Sequence, residues 1–338
     1  MSQNPESSAA APEDPQAEHQ LEADDDPRES DSTFEAAETS SSYLTSLKSS
    51  IFNYRYENGR RYHAFREGTY LVPNDDEEQN RMDLVHHIYS LVLDGKLHLA
   101  PLTEPAQRVL DLGTGTGIWA MDYADENTSA EVVGTDLSPI QPDWIPPNCV
   151  FEVDDFEDEW VFKVPFDFIH ARELEGCIGD EERLFKQVFE NLAPGGYFEL
   201  QAQRGQFMSD DGTSEKAIHA QRWAAAILDS SESFGKPIDC AHLWKDKLSK
   251  VGFVDVCQEI RKIPIGAWPK DPKLKEIGKY QEVQSLQAID SYTPKLFEKI
   301  LGWPMDEIQV IMAQAKSELK DPSIHLYLPV YFIWGRKP

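Results

Sequence analysis

Val109 to Ala120 reads VLDLGTGTGIWA: a short apolar run, an acid, three alternate glycines and the apolar start of a helix. A strand that turns through glycines into a helix can serve three kinds of ligand. Nucleoside triphosphates need GxxxxGK[ST], and no lysine follows Gly117. Dinucleotides want GxGxxG, whose third glycine lets helix pack on strand; Gly113, Gly115 and Gly117 fall one residue short of it. Asp111, two residues before the first glycine, carries charge of the wrong sign for a pyrophosphate. That charge suits S-adenosylmethionine, which bears an ammonium and a sulfonium and no phosphate.

The next two strands extend the reading. VVGTDLS places Asp136 at a strand's carboxyl end, where an acid accepts hydrogen bonds from both ribose hydroxyls. NAD sites share this feature, so it marks a nucleoside without choosing between donors. The following strand ends in VDDFEDEW, where Asp154 or Asp155 can meet an adenine amine and Phe156 can pack on the base. Alone, such an acidic run is a solvated loop; in register with two binding strands it closes a nucleoside site.

Strands RVLDLG, EVVGTDL, CVFEVDD, FDFIHAR and YFELQA are interleaved with helices GIWAMDYADE and EERLFKQVFENL, the last strand following a turn APGG. This rhythm predicts an α/β fold with a parallel, doubly wound sheet and ligands at the strands' carboxyl ends. Upstream, Leu84, Ile88, Leu91 and Val85, Tyr89, Val92 repeat at helical spacing, and Gly95 ends the helix. Downstream come helices in SEKAIHAQRWAAAILDSS and AHLWKDKLSKVGF, a strand VDVCQEIRKIPIG, and a closing strand HLYLPVYFIWGRKP. The chain divides into a disordered acidic tail (1–42), an N-terminal helical lid segment (43–100) and a main domain (101–338) with a helical insertion at about 270–320.

With 40% apolar residues, eight Trp and sixteen Phe, the 338 residues can fill a sizeable core. The net charge of −28 repels polyphosphate and excludes docking on nucleic acid through a basic face. Residues 1–50 hold twelve acids and two bases, too polar to offset the entropy of ordering. The four cysteines form no CxxC pair and read as reduced, buried thiols. No apolar leader is present, and the longest apolar run, LYLPVYFIWG, is too short to span a bilayer. His86 and His87 are adjacent on a helix, hence about 100° apart, and do not chelate a metal together. No cluster of five basic residues encodes nuclear import, so cytoplasm, nucleus or both remain compatible.

VLDLGTGTG, GTDLS, VDDFEDEW and LAPGGYFELQ together resemble the ordered motifs of class I S-adenosylmethionine-dependent methyltransferases. More narrowly, ENGRRYHAFREGTYLVPNDDEEQNRMDLVHHIYSLVLDGKLHLAPL, FDFIHARELEG and IHLYLPVYFIWGRKP resemble the fungal LaeA-like methyltransferases, from about Asn53 to Pro338. That family includes velvet-associated regulators of secondary metabolism and development. The resemblance implies a Rossmann-like, seven-stranded sheet whose last strand, near Tyr327 to Gly335, is antiparallel, with a helical segment over the cofactor pocket. It implies that Gly113, Gly115 and Gly117, with Thr114 among them, let the backbone pass the methionine part, and that Asp111 orients the amine through water. Asp136, beside Leu137, would hold the ribose; Asp155 or Asp154, with Phe156, the adenine; and His170 would line the pocket beneath the sulfonium.

Methyl transfer from a sulfonium needs chiefly proximity and alignment, and a base only for an acceptor of high pKa. His170, Glu173, Glu199, Gln201 and His219 stand near strand ends or on the following helix, but no spacing among them demands catalysis. Arg60, Arg61, Tyr62 and His63 read either as a lid reaching the cofactor carboxylate or as surface partners for the abundant acids. Phe207, Trp223, Phe234, Trp244, Trp268 and Trp303 can line an acceptor cavity, although helical core packing accounts for them more simply. Three functions follow: a methyltransferase acting with velvet-type or other regulatory partners, a small-molecule O- or N-methyltransferase, and a non-catalytic complex subunit.

Overall fold

The computed structural model describes residues 54–338 apart from positions 58, 64, 67 and 69, so the acidic tail and the start of the lid lie outside the described residues. The described lid is not wholly helical. It opens with an antiparallel hairpin of β1 (Arg55–Glu57) and β2 (Arg60–Tyr62), and a strap without helix or strand among its described residues leads into helix α1 (Asp76–Val92). Asp75 caps α1 by accepting the Glu78 N–H at 3.1 Å, and Asp76, Glu77 and Glu78 place negative charge in its first turn. The α1 stripe Val85, Ile88, Tyr89 and Val92 is buried, packing with Ile263, Val330 and Phe332 of the sheet.

The main domain runs β3 (Arg108–Leu112), α2 (Ile118–Glu126), β4 (Glu131–Asp136), β5 (Cys149–Val153), β6 (Phe166–Arg172), α3 (Glu181–Asn191) and β7 (Leu192–Gln203). After β7 come α4 (Ile218–Phe234), α5 (Ala241–Val251), β8 (Val254–Pro264), α6 (Pro272–Leu296), α7 (Met305–Leu319) and β9 (Tyr327–Arg336). The sheet order is β5-β4-β3-β6-β7-β9-β8. Strands β3 to β7 pair in parallel, and β9 pairs antiparallel to both β7 and β8, as the motif set implied. Order reverses between β3 and β6, and a crevice opens outside the carboxyl ends of strands at such a switch point.

The APGG turn is not a separate connection. It forms a bulge inside β7, where pairing jumps from Phe166–Leu192 to Phe168–Tyr197. The helical insertion comprises α6 and α7, joined through a π-turn at Phe297–Leu301 that follows Pro294 near the end of α6. Proline offers no N–H to the preceding turn, which accounts for the break in regular helix here. Ile289, Phe297, Ile308 and Ile311 bind this insertion to Trp223 and Ile227 of α4 in one buried cluster. A second cluster, with Phe185, Phe198 and Trp244, fills the space between the sheet and α3 and α5. The four cysteines are unpaired, but Cys257 is exposed and Cys177 only partly covered, because β8 is an edge strand and Cys177 lies in a loop. No helix among the described residues is long and apolar enough to cross a membrane.

Candidate active site

Asp111 and His170 are register partners on β3 and β6, so the switch point itself brings them together. His170 Nδ1 lies 2.7 Å from Asp111 Oδ1, and the Thr114 hydroxyl donates to Asp111 Oδ2 at 2.6 Å. The carboxylate accepts from Nδ1–H, which leaves Nε2 unprotonated, buried and without a hydrogen-bond partner among the described residues. Trp119 stacks on the imidazole with ring centroids 3.7 Å apart. Burial pushes the imidazole down to about 4 against the opposing pull of Asp111, so His170 is neutral near pH 7 and a weak base.

The glycine loop is tied to β4. Thr114 N–H donates to the Thr135 carbonyl at 2.9 Å, and Gly115 N–H donates to Asp136 Oδ2 at 2.8 Å. Asp136 Oδ1 accepts the Ser138 N–H at 2.8 Å, and burial pushes its carboxyl up to about 6 despite these bonds. A cavity of about 170 Å³ opens here. Of the residues singled out by sequence, Asp111, Gly113, Thr114, Gly115, Asp136, Leu137, Asp155, Phe156 and His170 line it.

Two do not. Gly117 is the left-handed N-cap of α2 (φ +82°), and a Cβ there would come 2.4 Å from Phe151 Cζ. Its requirement is backbone geometry and packing against β5. Asp154 is exposed and outside the cavity lining; its N–H donates to the Asp136 carbonyl at 3.0 Å and its carboxylate caps the Asp155 N–H at 2.9 Å. Of the adjacent acids, Asp155 faces the cavity.

The lid contributes residues that its motifs did not single out. Arg81 of α1 lines the cavity; it is clamped by Glu78 at 2.7 Å, yet its Nη1 is buried with no partner among the described residues. The Arg60–His63 cluster serves the strap instead. Arg60 makes a two-point bond to Asp75 (2.6 and 2.8 Å), Arg61 donates to the Asn74 carbonyl at 2.6 Å, and Lys295 sits over the Tyr62 ring. His63 is buried between the carbonyls of Phe65 and Tyr70. None of the four lines the cavity.

The other acid–base candidates separate by position. Glu199 accepts the Leu99 and Ala100 N–H groups and so fastens the end of the lid; burial pushes its carboxyl up to about 7. Gln201 donates to Glu199 and to the Leu97 carbonyl. His219 lies on α4 beside Glu318, away from the cavity. Glu173 does line it, held by the Tyr89 hydroxyl and by Gln203 Nε2 at 3.0 Å. His86 contacts Asp122 and Arg172 while His87 packs on Tyr280, so the two imidazoles face different partners.

A second cavity of about 140 Å³ adjoins the first, and Tyr70, Glu173, Cys177, Lys236 and Tyr292 belong to the walls of both. Phe207, Trp223 and Phe234 line this cavity, whereas Trp244, Trp268 and Trp303 are outside its lining.

The residues of the first cavity fit S-adenosylmethionine. Asp111 gives its glycine-loop end a carboxylate, its β4 end offers Asp136, and Arg81 Nη1 is a buried donor with no hydrogen-bond partner among the described residues. A methyltransferase-domain family matches residues 73–257. Methyltransferase pytC of Aspergillus terreus is 40% identical over 88% of this chain and 92% of its own length. The probable methyltransferase tdiE of Emericella nidulans is 34% identical over 81% and 87%, respectively. Secondary metabolism regulator LAE1 of Cochliobolus heterostrophus is 33% identical over 83% and 94%. Topology, cavity and relatives agree: the chain belongs to the methyltransferase-domain family, as a LaeA-like class I S-adenosylmethionine-dependent methyltransferase.

Proposed function

We propose that this chain methylates an acceptor in fungal secondary metabolism, acting as a LaeA-like regulator with velvet-type or other regulatory protein partners. The observation that carries the methyl-donor part is the single wall formed by Asp111, the glycine loop, Asp136 and Asp155 around one cavity. Asp136 would accept from the ribose hydroxyls, Asp155 and Phe156 would face the adenine, and Arg81 Nη1 would take the carboxylate of the methionine part. Asp111, its geometry set by His170 and Thr114, would face the amine. S-adenosylmethionine supplies an activated methyl group; the protein's share is alignment and exclusion of water.

The regulatory part is supported by kinship to a protein named as a secondary metabolism regulator and by the acidic composition of residues 1–50. A second reading, a small-molecule methyltransferase of a biosynthetic pathway, is favoured by the apolar cavity beside the cofactor site and by the kinship to pytC. Radiolabelled S-adenosylmethionine, incubated with the full chain and a fungal extract divided into protein and metabolite fractions, tests both. Label in the protein fraction supports the first reading and label among metabolites the second. Label in neither overturns methyl transfer in favour of a non-catalytic subunit.

A further inference from the structure

The second cavity is enclosed by parts of the chain that meet only on folding: the strap at Tyr70, the loop after β6, the end of β7, α4 and α6. Its walls are mostly aromatic and aliphatic, with Phe207 and Trp223 stacked at 6.0 Å, and carry Gln203, Ser231, Gln284 and Ser285 as neutral polar groups. The cations on its rim are engaged: Lys236 with Glu157 at 2.5 Å and the Cys177 carbonyl at 2.8 Å, Arg204 with Asp239 at 3.0 Å. Glu175 differs. Its Oε1 accepts the Gln203 N–H at 3.0 Å, while Oε2 is buried without a partner among the described residues. A buried polar oxygen left unpaired is unfavourable, and a ligand bearing a hydrogen-bonding group would relieve it.

We propose that this cavity is the methyl-acceptor site and takes a neutral single-ring compound whose hydroxyl bonds to the Glu175 carboxyl. The inference rests on the second, small-molecule methyltransferase reading and goes beyond it by naming the acceptor class. Size supports it: an apolar cavity of about 150 Å³ takes a benzene ring. Position supports it, since the two cavities share walls and an acceptor here lies next to the methyl donor's site. Charge supports it as well. Burial pushes both carboxyls up, Glu175 the further because it lies beside Glu173, while the Tyr89 and Gln203 donors favour placing the pair's charge on Glu173.

Methylation of a hydroxyl forms one O–C bond and breaks the donor's S–C bond, whose electron pair stays on sulfur. The hydroxyl proton leaves, and the Glu173–Glu175 pair, with one proton and one charge, has room for it. Positive charge on sulfur and negative charge on the pair then vanish together, so no lone charge is stranded in the apolar site. A cationic amine would instead be trapped as an ion pair, its lone pair blocked by the proton.

The test uses the full chain saturated with S-adenosylhomocysteine and titrated with phenol, read by phenol fluorescence. Saturable binding is expected, weakened at least about ten-fold by Ala224→Trp, which fills the cavity from α4, or by Ala288→Phe, which fills it from α6. S-adenosylhomocysteine affinity stays within about two-fold in whichever of the two variants folds, which separates this site from the donor's. The chain prefers phenol to benzene by about five-fold, and Glu175→Leu abolishes the preference. Absence of saturable phenol binding, binding indifferent to both filling variants, or tighter binding of benzylamine overturns the proposal. Failure to bind S-adenosylhomocysteine at all overturns the methyltransferase reading instead.

Discussion

The two adjoining cavities are built by opposite means. The donor side is built chiefly on a strand, a glycine loop and the ends of the next strands, with backbone N–H groups fixing Asp136, and Arg81, Lys236 and the two tyrosines Tyr70 and Tyr292 complete it. The acceptor side is made of side chains from a strap, two loops and two helices, brought together from positions 70 to 328. A site held by backbone is intolerant of change and shared across a fold. One held by side chains can be re-shaped without disturbing the sheet, which is how one scaffold serves many acceptors.

The largest effect should come from breaking the donor side's backbone. Gly117→Val forces a branched side chain to φ +82° and into Phe151, and should lower stability by about 3–5 kcal/mol, seen as a fall in thermal midpoint. A midpoint within about 2 °C of the parent would refute the packing role assigned to this glycine. Next, Asp136→Ala should weaken S-adenosylmethionine binding about 100-fold by calorimetry while leaving the volume of the acceptor cavity unchanged, since Asp136 is not in its walls. Affinity equal to the parent's would remove Asp136 from the site.

A smaller effect concerns pH. The ribose needs Asp136 as a carboxylate, and burial holds its carboxyl at about 6, so the fraction ionised falls as pH drops through that value. Binding at pH 5 should be about ten-fold weaker than at pH 7.5, and Asp136→Asn should flatten the profile. The smallest effect tests the choice between neighbours: Asp154→Ala should change affinity by less than about two-fold, because its side chain caps a turn outside the cavity. A loss as large as that of Asp155→Ala would reverse the assignment.

This contrast also explains what could be read before folding. The β3 loop, Asp136, Asp155, Phe156 and His170 were legible because each follows a strand whose place in the sheet is set by the βαβ rhythm. Arg81 was not, since nothing local distinguishes it from other charged residues of α1; its meaning depends on α1 lying over the strand ends. Tyr70 and Tyr292, more than two hundred residues apart, share a wall that no local spacing announces. Gly117 lies outside the cavity lining, and a glycine needed for φ and for helix–strand packing has the same sequence signature as one needed for ligand approach. The β1–β2 hairpin has a local signal in the Asn58–Gly59 dipeptide, but its three-residue strands are too short to show an alternation of their own.

The position of β9 carries a consequence for synthesis. Because β9 lies between β7 and β8, the sheet without it is not one strand shorter but two separate pieces. A nascent chain that has already released β7 and β8 from the ribosome therefore presents two unpaired edges at once, in strands that bury Phe198, Leu200 and Ile263 when complete. Truncation before Tyr327 should yield aggregation rather than a smaller folded enzyme, and any chaperone dependence should end when the last strand arrives.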